Sequence, residues 1–113
     1  MFRNLSLKSL FIAMDFVLRG APSLVLALAD ADSDWGLTDA GIAISYLELA
    51  AAAHGLGTCW GGIVQRALTK NPELTKLAGV PTNRAVRGAL MIGTPKFRYS
   101  LVPPRTPAAT IWR

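Results

Sequence analysis

The residues with types and spacing suited to chemistry gather around one stretch, HGLGTCWGG, from His54 to Gly62. His54 and Cys59 are the obvious nucleophilic pair, since a neighbouring imidazole can take the thiol proton. Their spacing does not orient both toward one substrate: if a helix stops at Gly55 the two side chains diverge, and no third residue is clearly placed to hold the imidazole. His54 then reads as a helix-end group that bonds a terminal carbonyl, and Cys59 as a small buried packing group. Thr58, Cys59 and Trp60 suit a short strand or strand-like entry to a site, with a turn at Gly61 and Gly62. Those glycines either let a flat ligand approach the backbone or simply end a helix and make a turn. Arg105 lies among Pro103, Pro104 and Pro107, which reduce the freedom its guanidinium loses on meeting an anion. A phosphate would accept paired, charge-assisted bonds from it, as would a carboxylate; Arg98 and Lys96 are secondary candidates.

Other chemistries are set aside on residue types. Asp30, Asp32 and Asp34 crowd one loop, but the run lacks the glycine and terminal glutamate of a calcium loop. It reads as a solvated loop, with Asp34 or Asp39 helping the nearby helix end and Trp35 covering the junction as a core or dimer contact. Cys59 is the sole cysteine, which excludes an internal disulfide and a cysteine metal cage and fits an intracellular setting. The formal charge is +5, but apolar residues and prolines separate Arg84, Arg87, Lys96, Arg98, Arg105 and Arg113. Without a compact basic run, an anionic substrate or a cofactor phosphate is a more economical partner than nucleic acid. Lys8, Asp15 and Arg19 break the early apolar run that export needs, and no segment reads as a membrane span, so a cytoplasmic protein is expected.

These residues need elements to position them, and the chief one is a helix over 37–54. Ile42, Tyr46, Leu49 and Ala53 recur at helical spacing, Ile44, Leu47 and Ala51 cover an adjacent sector, and Asp39, Ser45 and Glu48 are the principal polar interruptions. Such a helix has too little polar surface for the outside of a monomer, so a sheet, a second helix or another copy of the chain must cover it. Thr38 is its candidate N-cap, and Gly55 and Gly57 offer the left-handed stop. With 113 residues there is room for one domain, and association is expected because a chain of this size buries a modest share of its surface.

Leu7, Leu10 or Phe11, Met14 and Val17 mark an apolar stripe and a first helix over 5–18, interrupted by Gly20 and Pro22. SLVLALA over 23–29 reads as a strand buried on both faces. Short helices are predicted over 63–68 and 72–77, the second capped by Asn71 and ended before Pro81. AVRGALMI over 85–92 is a second strand in which Gly88 marks a bulge or a close backbone approach. The proline-rich tail from Gly93, anchored by Phe97, Tyr99, Leu101, Ile111 and Trp112, should run extended and wrap a neighbour or partner subunit.

Four segments in order resemble the nitroreductase family: GAPSLVLALA over 20–29, DAGIAISYLELAAAAHGLGTCWGG over 39–62, VRGALMIGTPK over 86–96 and the proline-arginine tail over 103–107. The resemblance implies an α/β or α+β flavoprotein, with a central hydrophobic helix on a small mixed sheet, that binds FMN at a homodimer interface. It implies electron transfer from NADH or NADPH to nitroaromatic, quinone or similar acceptors. Thr58, Cys59, Trp60, Gly61 and Gly62 would lie near the flavin ring, Arg105 near its phosphate, and the long helix would pair subunits. The cofactor would carry the hydride chemistry, so no side chain need act as a covalent catalyst. The family's arginine-rich N-terminal segment is not matched by residues 1–19, so the resemblance is read as one to the C-terminal portion only. The alternative is a cofactor-free structural or interaction module derived from that fold.

Overall fold

The computed structural model describes residues 16–113, so the predicted first helix lies outside the described residues except for its end, where 16–18 are helical. Six elements follow: β1 (Ser23–Asp30), α1 (Gly36–Ala53), β2 (Gly57–Trp60), α2 (Gly62–Lys70), α3 (Pro72–Leu77) and β3 (Arg84–Gly93). The strands form one sheet in the order β1-β3-β2, and both pairings are antiparallel. The fold mixes helices and strands as expected, with the apolar helix α1 against a small sheet, but the described sheet is antiparallel throughout and not mixed, because neighbouring strands run in opposite directions in both pairings. No described helix is long and apolar enough to cross a membrane.

The central strand is β3, and the fold is built on its two faces. Side chains alternate along a strand, so Gly88 and Leu90 face α1 while Ala89 faces α2, where it joins Val64, Leu68, Val80 and Val86 in a core cluster. Ile44 and Leu90 are the largest fully buried side chains, and each contributes about 1.5–3 kcal/mol of transfer free energy. The expectation that β1 is buried on both faces is corrected. β1 is an edge strand whose residues are half-buried or exposed, because β3 takes the middle place.

Both readings of Gly88 hold. The β1–β3 register shifts between Ala27 and Leu28, leaving Arg87 as the extra residue of a bulge. A Cβ on Gly88 would collide with Cδ1 of Ile44, so the missing side chain is what lets α1 approach the sheet.

α1 begins one residue before its predicted start, and its cap differs. Trp35, not Thr38, holds the N-cap position and offers no side-chain cap; Thr38 sits inside the first turn. The start is set by packing, since a Cβ on Gly36 would lie 2.7 Å from that of Ala29 on β1. At the other end Gly55 takes φ +73°. Its N–H donates to the Ala52 carbonyl at 3.0 Å and that of Leu56 to Ala51 at 2.9 Å, the paired bonds of a Schellman stop. The role expected of the His54 side chain is thus met by the backbone. Gly57 is not part of the stop; it begins β2.

Asn71 caps α3 as its position predicts, its side chain accepting from the N–H groups of Glu73 at 3.0 Å and Leu74 at 3.2 Å. α2 exceeds its predicted span at both ends, so Gly62 is a helical residue rather than part of a turn. The tail beyond β3 holds no regular element, and Phe97, Tyr99, Leu101, Ile111 and Trp112 are all exposed.

Candidate functional site

The segment expected to carry the chemistry folds as a corner: β2 runs in, Gly61 turns the chain and α2 leaves. Two backbone bonds set the corner. The Gly61 N–H donates to the Ala89 carbonyl at 2.8 Å, and the Gly61 carbonyl accepts from the Gln65 N–H at 2.9 Å. A Cβ on Gly61 would meet Ala89 at 3.4 Å, whereas one on Gly62 would meet nothing within 4 Å. Gly61 is therefore packed against the sheet, and Gly62 faces open space. Among the described residues no side chain caps α2, so N–H groups of its first turn have no intrahelical partner and point out beside Gly62. Such an end attracts electron-rich oxygen or nitrogen atoms through both hydrogen bonding and the helix dipole.

The alternation of β2 divides the predicted site residues. Thr58 and Trp60 share the face toward α1, where both donate to Glu48: the Thr58 hydroxyl to Oε1 at 3.2 Å and the Trp60 indole N–H to Oε2 at 3.0 Å. Trp60 remains 44% exposed, so part of its ring is free to meet a ligand. Cys59 lies on the opposite face and is exposed, which corrects its reading as a buried packing group. It lines an open cleft of about 400 Å³ with Met91, Gly93, Lys96, Phe97 and Tyr99. His54 sits exposed at the end of α1, and no hydrogen bond joins it to Cys59 among the described residues.

Arg105 lies outside the corner's elements, in the chain that follows β3. It is exposed in the irregular tail and makes no hydrogen bond or ion pair among the described residues. Lys96 stands in the cleft beside Cys59, with its ammonium 5.5 Å from the centre of the Phe97 ring. The residue missed by sequence reasoning is Glu48. Its signal was a carboxylate between apolar residues in the middle of the helix, which needs a polar partner once that helix is packed.

The family model described as the nitroreductase family matches residues 13–94. The chain belongs to the nitroreductase family. Its fold is similar to that of a nitroreductase with bound FMN from Bacteroides fragilis NCTC 9343, at 28% identity and a TM-score of 0.66, over 82% of this chain and 50% of that one. The chain thus spans about half the length of this solved relative. No curated protein matches it.

The family match corrects the reading of a C-terminal portion only. It starts at residue 13, inside the stretch set aside as unmatched, and covers most of the chain. The structure supplies a physical reason: Val17 and Leu18 pack against the core cluster beside Leu24 and Leu26, so residues before Gly20 share the same core. The match ends at Thr94, leaving Arg105 outside it.

Proposed function

We propose that this nitroreductase-family chain binds FMN at the β2–α2 corner and acts as a flavin-dependent oxidoreductase, taking electrons from NADH or NADPH and passing them to nitroaromatic, quinone or similar acceptors. The observation that carries this reading is the corner itself: an uncapped helix end at an unobstructed Gly62, beside a half-exposed Trp60. A planar ring can lie against that backbone, and the N–H groups of the first turn of α2 can donate to its polar edge. The residues present therefore fit the group there. FMN, when bound, supplies the hydride chemistry. The chain's own part is to hold and orient it, with Thr58, Cys59, Trp60, Gly61 and Gly62 near the ring.

The functional unit in this reading is a homodimer paired through α1. Ile42, Tyr46 and Leu49 are 54%, 72% and 70% exposed on the side of α1 away from the sheet, an apolar stripe that a second copy would cover. The exposed tail would then wrap the partner and bring Arg105 to the cofactor phosphate, where its guanidinium can bond bidentately.

A second reading, a cofactor-free interaction module, is favoured by Arg105, which is exposed and makes no hydrogen bond or ion pair among the described residues. One titration tests both. The flavin reading expects FMN to bind the folded dimer and the loaded protein to oxidise NADH or NADPH when an acceptor is added. A folded dimer that takes up no FMN would support the cofactor-free module instead.

A further inference from the structure

We infer that Glu48 is a positioning residue for the cofactor corner, tying the subunit-pairing helix to the strand that presents the ring-binding segment. The inference rests on the flavin reading above and names a residue which that reading does not use. β2 is a four-residue strand with only one sheet neighbour among the described strands. Its hydrogen bonds to β3 set its register, from Gly57 opposite Gly93 to Trp60 opposite Leu90, but they do not fix which way its side chains lean. Glu48 supplies that constraint. One carboxylate spans alternate residues of the strand, one oxygen accepting from Thr58 and the other from Trp60.

The helix circumference gives this contact its meaning. Glu48 neighbours the sheet-facing side of α1, where Ile44 and Ala51 are buried, while Ile42, Tyr46 and Leu49 lie across the helix from them. A single rigid helix therefore carries the predicted pairing face on one side and the clamp on the corner on the other. Trp60 immediately precedes Gly61, the N-cap of α2, so holding its indole fixes the ring next to the helix end at Gly62. Without Glu48 the indole N–H and the Thr58 hydroxyl would turn to water, and the Trp60 ring would lose its fixed orientation at the corner before any ligand arrived.

The test uses flavin-fluorescence titrations of the full chain with FMN, alongside hydrogen exchange at the Trp60 indole in cofactor-free protein. The indole resonance is assigned by its loss in Trp60→Phe. Glu48→Leu removes both bonds, whereas Glu48→Gln can keep both, its carbonyl accepting from the indole and its amide donating to the Thr58 hydroxyl. Glu48→Leu is expected to weaken FMN binding about tenfold, the factor that about 1.4 kcal/mol produces, with Glu48→Gln restoring most of the loss. The double variant Glu48→Leu/Trp60→Phe should bind little worse than Trp60→Phe alone, because the two residues act through one contact. The indole should exchange slowly in the wild type and in Glu48→Gln, and fast in Glu48→Leu.

Wild-type FMN affinity in folded Glu48→Leu would overturn the proposal while leaving the flavin reading intact, as would a fast-exchanging indole in the wild type. If Glu48→Leu fails to fold, the wild type and Glu48→Gln still decide, since a fast-exchanging indole in either would overturn the proposal. A wild-type chain with a protected indole and no FMN uptake would sink both the flavin reading and the positioning role.

Discussion

The two sides of α1 are similarly apolar yet differently placed. Ile44 on the inner side is 2% exposed against β3, while Tyr46, two residues on, is 72% exposed on the outer side. The inner side is covered because Gly88 lacks a Cβ and admits Ile44 to the sheet. The outer side has no such recess among the described residues. The contrast teaches that apolar content says a surface should be covered, whereas local shape decides whether this chain can do the covering.

The largest expected effect tests the inner side. Ile44→Ala should destabilise the fold by about 2–5 kcal/mol in urea melts, because a rigid, closely packed site cannot collapse around the lost atoms. A loss near zero would show that α1 is not anchored there. The outer side should behave oppositely: Tyr46→Glu with Leu49→Glu should change the stability of the separated chain by no more than about 0.5 kcal/mol per site. The same pair should weaken self-association by at least about tenfold in sedimentation, since it buries unpaired charge in the proposed interface. Loss of folding instead would mean that the outer side belongs to this chain's own core.

Smaller effects sharpen the contrast at the ends of the helix. Gly55→Ala should cost about 1–2 kcal/mol in the same melts, the penalty for a side chain at positive φ. Thr38→Ala should cost less than about 0.5 kcal/mol, because Thr38 is not the N-cap; a loss near 1 kcal/mol would restore it to that role. Removing residues 97–113 checks the tail, whose aromatic anchors are exposed in the single chain. If the tail wraps a partner, its removal should weaken association and leave the β3-centred core folded.

Much of the fold was legible because its signals are local. SLVLALA and AVRGALMI read as strands, Asn71-Pro72 as a helix start and Gly55 as a helix stop, and each stands in the structure. The site was legible only as a segment. HGLGTCWGG marked the place, but not that Thr58 and Trp60 turn together toward Glu48 while Cys59 faces away, which depends on the pairing of β2 with β3 and on the approach of α1. Thr38 misled for a related reason: cap chemistry favoured it, but the tight contact of Gly36 with Ala29 set where the helix begins.

Chain-local chemistry was therefore enough for the order of strands and helices, for their stops and for the glycine corner that bears the family likeness, since each depends on φ preferences, capping and periodicity among near neighbours. Assembly was needed to place β3 at the centre, to make an edge of β1, to leave Ile42, Tyr46 and Leu49 outward and to set one carboxylate against two strand residues. Those outcomes turn on distances between residues far apart in the chain, where a single absent methyl at Gly88 decides which surface of a helix is admitted.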